Sequence, residues 1–78
     1  MKTQIINIRN ELRKIKGQGV RLHVIGERNK ITDELGVLEG VYSDIFTVRI
    51  AYEDYVRRYS YSYAEVLTRH VKIYPIAL

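Results

Sequence analysis

The chain has 78 residues, with 13 lysine and arginine residues, 9 aspartate and glutamate residues, no cysteine and a formal net charge of +4. The lack of cysteine excludes a disulfide or a cysteine-ligated zinc site, so the fold depends on its hydrophobic core. A chain this short has little room for both a core and a deep catalytic cleft, which argues against an elaborate enzyme.

Charge is distributed unevenly along the chain. Residues 1–30 contain eight basic and two acidic side chains, residues 31–56 contain one and six, and residues 57–78 contain four and one. The three blocks therefore have net charges of +6, −5 and +3. The net charge of +4 is thus the sum of two basic blocks and one acidic block, and the chain is not basic throughout. The composition therefore gives only weak support for a dedicated nucleic-acid binder.

Residues 3–16 are predicted to form an amphipathic helix, with Thr3 as its N-cap and Gly17 at its exit. The apolar side chains recur at steps of three and four and form one stripe, which consists of Ile5, Ile8, Leu12 and Ile15. Charges interrupt this segment, so it does not resemble a signal peptide, and we expect a cytoplasmic protein with no membrane contact. The stripe is expected to dock either on the rest of this domain or on a second copy in a homodimer.

Residues 19–75 are predicted to form a small β-barrel, because apolar and polar residues alternate between turns. Gly36 and Gly40 indicate a bulge or bend, and residues 63–68 indicate a single helical turn. The predicted strands, in chain order, cover residues 20–24, 37–42, 46–51, 56–62 and 69–74. This order predicts a mainly β fold: one domain of residues 1–78, with an SH3-like five-stranded barrel after the N-terminal amphipathic α-helix. An OB-like barrel is the alternative, although it usually has a helix between its third and fourth strands.

The sequence has no recognisable catalytic motif. It lacks a phosphate-binding loop, a nucleophile elbow, a His-Glu-x-x-His zinc motif and a cysteine nucleophile. His23 and His70 are interpreted as solvent-facing or packing residues. The pair Asp33 and Glu34 has no third ligand at a metal-binding spacing and is interpreted as part of a solvated loop. We therefore expect no enzymatic activity, no metal and no cofactor.

Basic side chains on the predicted helix are the first candidate binding surface. They project within about 60° of one another beside the apolar stripe, and they are Lys2, Arg9, Arg13 and Lys16. This basic ridge suits phosphates or an acidic partner, whereas the alternative is that the side chains merely snorkel beside a docked helix. Arg28 and Lys30 form a second candidate binding surface, in a polar turn whose backbone amides could bind an anion. The alternative is that this turn is a plain hairpin connection.

The segment Tyr59-Ser60-Tyr61-Ser62-Tyr63 is the most unusual part of the sequence. In an extended chain its three tyrosines point the same way, and Arg57 and Arg58 precede them. Such a row suits base stacking or a groove for an extended peptide. The alternative is that the tyrosines pack in or beside the core of a small barrel.

Several segments, in this order, resemble the Veg family of low-GC Gram-positive bacteria. They are the amphipathic helix, Gly19-Val20-Arg21-Leu22, the turn Gly26-Glu27-Arg28-Asn29-Lys30 and Gly36-Val37-Leu38-Glu39-Gly40-Val41-Tyr42. The most specific match is Ser60-Tyr61-Ser62-Tyr63-Ala64-Glu65-Val66-Leu67-Thr68. It is similar to the family's Ser-Tyr-Ser-Tyr-Ala-Asp-Val-Leu-Thr signature. The resemblance extends over roughly residues 4–73.

The resemblance implies a cytoplasmic, non-enzymatic protein with a small SH3-like barrel. It also implies a role in the control of gene expression, namely stimulation of biofilm matrix genes by antagonising their repressor. We therefore expect a protein–protein interaction with a transcriptional regulator. Direct binding of nucleic acid through the basic and tyrosine residues is the alternative function.

Overall fold

A computed structural model describes residues 2–76 of the chain, with side chains described from residue 3 onward. Two helices, five strands and one short 3-10 helix follow one another in this part of the chain. In chain order they are α1 (Lys2–Lys14), β1 (Gly19–Ile25), the 3-10 helix (Glu27–Asn29), β2 (Ile31–Val41), β3 (Ile45–Ala51), β4 (Val56–Ser62), α2 (Tyr63–Leu67) and β5 (Val71–Pro75).

The predicted N-terminal helix is present, with shifted ends. Thr3 lies inside α1 rather than at its N-cap, and the helix ends at Lys14 instead of residue 16. Gly17 adopts a φ of 87°, the left-handed conformation at which helices commonly end and which glycine tolerates best. Its amide donates a 2.7 Å hydrogen bond to the carbonyl oxygen of Leu38, so the helix exit is joined directly to β2.

The five strands form one antiparallel sheet in the order β4-β3-β2-β1-β5. This order confirms the predicted mainly β fold after an N-terminal helix. Within residues 2–76, α2 lies between β4 and β5, as predicted, whereas an OB-like barrel would have a helix between its third and fourth strands. The sheet is not closed, since β4 and β5 share no hydrogen-bonded ladder within residues 2–76. The word barrel therefore applies only loosely. Helix α2 contacts both β4 and β5, and α1 packs against α2.

Strand β2 is longer than the predicted strand of residues 37–42. Its first half pairs with β1, its second half pairs with β3, and the register shifts between Leu38 and Gly40, which confirms the predicted bulge. Gly36 lies at the junction of the two halves, where a Cβ atom would come within 2.6 Å of the Arg49 carbonyl oxygen. The interpretation of Asp33 and Glu34 as a solvated loop is wrong, because both lie in the first half of this strand.

Side chains alternate between a buried inner face and an exposed outer face of the sheet. Strand β3 shows the pattern most clearly, with Phe46, Val48 and Ile50 buried and their neighbours more exposed. The complete buried cluster consists of Leu12, Val20, Leu22, Leu38, Phe46, Val48, Ile50, Tyr63 and Val71. Leu12 is the member from α1, and the other three residues of the helix stripe pack against the cluster, so the stripe docks on its own domain. The homodimer stays a prediction.

Candidate interaction surfaces

The predicted tyrosine row is divided between two elements. Tyr59 and Tyr61 lie on the inner face of β4, opposite Val48 and Phe46 of β3, and both are half-buried. Their ring centroids are 6.5 Å apart. Tyr63 is not part of this row, because it is the first residue of α2 and is buried in the core. The alternative of core and semi-core packing therefore describes these tyrosines better than a continuous exposed row.

A capping box explains why the strand ends before Tyr63. The Ser62 hydroxyl accepts a 3.2 Å hydrogen bond from the Glu65 amide, and the Glu65 carboxylate accepts a 2.9 Å bond from the Ser62 amide. These reciprocal bonds satisfy amides that the first turn of a helix leaves free, so the chain turns into α2 at this point. The Ser-x-x-Glu spacing of residues 62–65 is a sequence signal for this helix start.

Tyr59 and Tyr61 line a cleft on the inner face of the sheet, with a volume of about 190 Å³. Its lining comes from β1, β2, β3 and β4 and from Tyr52, which follows β3. We call it the inner cleft, and its lining residues are Leu22, Val24, Thr32, Glu34, Ile50, Tyr52, Tyr59 and Tyr61. Sequence reasoning did not identify Glu34 and Tyr52 as members of a site. Glu34 lies opposite the buried Leu22 on the inner face, and Tyr52 directly follows β3 and continues its alternation.

The tyrosine hydroxyls in the inner cleft are coupled to one another. The hydroxyl oxygens of Tyr52 and Tyr59 are 3.1 Å apart, within hydrogen-bond distance. This bond, with desolvation and the nearby charge of Glu34, raises the pKa of Tyr52 to about 12. Desolvation is the largest cause that raises the pKa of Tyr61, with further contributions from Tyr59, Glu65 and Glu34. Both hydroxyls therefore stay protonated and neutral at physiological pH.

The predicted basic ridge of α1 is only partly exposed. Arg13 and Lys16 are exposed, although Lys16 lies beyond the end of the helix. Arg9 is half-buried, and its Nε atom is buried with no hydrogen-bond partner among the described residues. The side chain of Lys2 lies outside the described residues. Among the described side chains of the ridge, Arg13 and Lys16 are exposed, whereas Arg9 packs against the domain as the snorkelling alternative describes.

Arg57 and Arg58 point to opposite faces of β4. The Arg57 guanidinium carbon is 5.4 Å from the ring centroid of Tyr59 on the inner face. Arg58 donates a 2.6 Å hydrogen bond from Nε to Glu39 on the outer face. The same Glu39 carboxylate also lies 3.2 Å from Nε of Arg49, so one acidic residue pairs with two arginines.

The polar turn between β1 and β2 contains the other two basic candidates. Arg28 has a φ of 57° and Asn29 a φ of 59°, and both lie in the 3-10 helix. Arg28 and Lys30 are exposed. The Gly26 amide donates a 2.7 Å hydrogen bond to the carbonyl oxygen of Lys30, which closes the turn on itself. The geometry thus agrees with the alternative of a hairpin connection, because this amide is already bonded.

The outer face of the sheet has an exposed row that the sequence did not reveal. Leu35 of β2 lies opposite Arg21 of β1, and Arg21 lies opposite Tyr74 of β5. Leu35 is 65% exposed and Tyr74 is 50% exposed, although both are large and apolar in part. Between them, Arg21 makes a bidentate ion pair with Asp33, at 2.9 and 2.8 Å. We call Leu35, Arg21 and Tyr74 the outer row. It borders a shallow groove that Pro75 and Ile76 complete.

Neither helix within residues 2–76 has the length and apolar character needed to span a bilayer. In the same part of the chain, histidine, aspartate and glutamate side chains do not gather in groups of three or more that could ligate a metal.

Comparison with known proteins places the chain in a family. No curated protein sequence matches it. The model of the family described as biofilm formation stimulator VEG matches residues 3–74, which is nearly the whole chain. The match covers all but the first residue of α1 and the last residue of β5, includes the Tyr61–Thr68 segment, and confirms the resemblance seen in the sequence. The chain therefore belongs to the Veg family, a family described by its stimulation of biofilm formation.

Proposed function

We propose that this protein regulates gene expression by binding a transcriptional regulator, and that biofilm matrix genes are its targets. Family membership supports the biofilm-related role. Because transcriptional regulators act where the chromosome is, the proposed site of action is the cytoplasm. The observation that supports a protein partner is the exposure of the large side chains of the outer row.

The outer row has the properties of a protein-binding surface. Leu35 and Tyr74 expose apolar area on two strands, with β1 between them, and the groove beside them is bordered by Pro75. Clustered exposed apolar side chains on a small domain are a feature of interaction sites. Tyrosine and arginine are also enriched in protein interfaces. The rim of such an interface is polar, and the partly exposed Arg21–Asp33 ion pair is compatible with that position.

Ion pairing weakens the alternative of direct nucleic-acid binding on this face. Arg21 is paired with Asp33, whereas Arg49 and Arg58 are both paired with Glu39. A phosphate would have to compete with a carboxylate for each of these guanidinium groups. Nucleic-acid binding is still favoured by one observation, which is that Arg13 and Lys16 are exposed and make no ion pair within residues 2–76.

Affinity capture from the native cytoplasm tests the proposed function. The wild-type chain is expected to retain a transcriptional regulator, and a variant with Leu35→Ser and Tyr74→Ser is expected to lose it. Val56→Ser is the matched control, because Val56 is 49% exposed but lies on β4 at the other end of the strand order. Retention of the same regulator by the double variant, or recovery of no regulator by wild type, would contradict the proposal.

Titration with short DNA and RNA at two salt concentrations tests the alternative. If the basic residues bind phosphates, affinity is expected to fall steeply as salt rises and to fall further in an Arg13→Gln and Lys16→Gln variant. The absence of binding at low salt, where electrostatic attraction is strongest, would exclude this function.

A further inference from the structure

The inner cleft lies on the face of the sheet opposite the outer row and is a separate site. Its volume of about 190 Å³ is smaller than the roughly 300 Å³ at which pockets for small-molecule ligands and cofactors begin. A cleft of this size suits one inserted side chain better than a cofactor. The chemistry of its lining therefore indicates which side chain it suits.

The lining combines three kinds of surface. Leu22, Val24 and Ile50 provide an apolar floor, which suits the methylene groups of a long side chain. Three tyrosine rings provide faces of negative electrostatic potential, which attract a cation. Glu34 adds a carboxylate that makes no ion pair and no hydrogen bond to a side chain within residues 2–76. An apolar stem that ends in a positive charge complements all three.

Charged groups around the cleft favour a cation near Tyr61. Desolvation is the largest cause that raises the pKa of Tyr61, and the negative charges of Glu65 and Glu34 add to it. Both carboxylates therefore act on the space beside this ring. The opposing charge is Arg57, which lies over Tyr59 at 5.4 Å. One of the cleft tyrosines is thus already in contact with a guanidinium group. Tyr61, Tyr52 and Glu34 have no such cation within residues 2–76.

We propose that the inner cleft binds the side chain of an arginine presented by a protein partner, with the guanidinium group between the Glu34 carboxylate and the Tyr61 ring. Arginine fits better than lysine because its planar group stacks on an aromatic face while it donates hydrogen bonds to a carboxylate. This binding does not depend on the outer row or on the identity of the regulator. Its test is therefore independent of the capture experiment.

The test is an NMR titration of protein labelled in its tyrosine rings. The ligand is a five-residue peptide with capped ends and a central arginine between alanines, and the comparison ligand has citrulline, an uncharged analogue of arginine, at the same position. We expect saturable shifts of the Tyr52, Tyr59 and Tyr61 signals at millimolar arginine peptide. Citrulline is expected to weaken binding by about tenfold, as loss of a charge-assisted hydrogen bond implies.

Variants separate a specific cleft from general attraction to the protein. Glu34→Gln is expected to weaken arginine-peptide binding by about tenfold, whereas Glu53→Gln, an exposed carboxylate in the β3–β4 turn, is expected to leave it unchanged. Tyr61→Phe retains the ring and is expected to bind, while Tyr61→Leu is not. Equal binding of the citrulline peptide, equal effects of the two glutamate variants, or no saturable shift would each overturn the proposal.

Discussion

The hydroxyl of Tyr63, the first residue of α2, donates a 2.9 Å hydrogen bond toward the carbonyl oxygen of Ile45, the first residue of β3. The same hydroxyl contacts the carbonyl oxygen of Tyr42 on the other side of the β2–β3 turn. The turn itself is closed by a 2.8 Å bond from the Tyr42 amide to the Ile45 carbonyl oxygen. One side chain therefore connects α2 to both ends of this turn.

Replacing the Tyr63 hydroxyl should destabilise the fold measurably. Tyr63→Phe preserves the ring, which stacks on Phe46 at 5.8 Å, but removes the donor that the two carbonyl groups share. We expect a loss of about 1–2 kcal/mol in the free energy of unfolding, measured by urea denaturation. Tyr42→Phe is the control, since the Tyr42 side chain is 57% exposed, and its change should stay within about 0.5 kcal/mol. Equal stabilities of Tyr63→Phe and wild type would show that the hydroxyl does not support the turn.

Gly36 should not tolerate a side chain. A Cβ atom there would lie 2.6 Å from the Arg49 carbonyl oxygen and 3.0 Å from side-chain carbons of Ile50 and Val48. Because backbone and core atoms would both have to move, Gly36→Ala should cost about 1–3 kcal/mol of unfolding free energy.

Gly19→Ala is the matched control for this substitution. A Cβ atom at Gly19 would meet nothing closer than the Gly36 carbonyl oxygen at 3.9 Å. This variant should be neutral or slightly more stable in the same denaturation experiment, because alanine reduces the freedom of the unfolded chain. A similar loss for both variants would contradict the close approach of β2 and β3 at Gly36.

Docking of α1 on its own sheet predicts a large effect at Leu12. This side chain is 5% exposed in the core, so Leu12→Ala should cost about 2–5 kcal/mol, whereas Ile6→Ala, at 42% exposure, should cost much less. The unfolding midpoint of Leu12→Ala should not depend on protein concentration. If the variant instead stays folded and loses a dimer in sedimentation, the stripe binds a second chain.

Local patterns were sufficient to predict most of the fold. The alternation in β3, the bulge near Gly40 and the turn of helix after Ser62 all depend on short-range preferences. The first half of β2 was missed because Thr32, Asp33 and Glu34 give no apolar alternation. Its strand structure depends on pairing with β1, including the ion pair from Arg21 across the ladder, and a sequence does not show that register.

The candidate sites were harder to predict for the same reason. Ser62 and Glu65 have the spacing of a capping box, which predicts a helix start after Ser62. The sequence could therefore have predicted that Tyr63 lies in a helix and not in the tyrosine row. The inner cleft could not be predicted, because Glu34 of β2 and Tyr52 after β3 line one cleft only through the pairing of the strands in the folded sheet. The outer row likewise depends on which residues of β1, β2 and β5 lie opposite one another.

The ion pair between Arg21 and Asp33 predicts a specific dependence of stability on pH. The hydrogen bonds from Arg21 lower the pKa of Asp33 below its ordinary value of 3.8 in the folded state, against an opposing effect of desolvation. The ionised carboxylate thus favours the folded state above pH 3.8, and this contribution is lost as pH falls through the lower folded pKa. Asp33→Asn removes a group that titrates, so wild type should be more stable than the variant near neutral pH and should lose that advantage below about pH 4.

A second substitution identifies the cause of this pH dependence. In an Arg21→Gln background the largest cause that lowers the pKa of Asp33 is absent, and the smaller contribution of His23, whose Nδ1 lies 3.7 Å from the carboxylate, remains. Asp33→Asn should then produce a difference in unfolding free energy that changes less with pH. Urea denaturation of the four proteins between pH 3 and pH 7 measures the cycle. Because Arg21 and Asp33 are 59% and 37% exposed, added salt should also reduce the coupling between them. An undiminished pH dependence in the Arg21→Gln background would show that a group other than Arg21 lowers the pKa of Asp33.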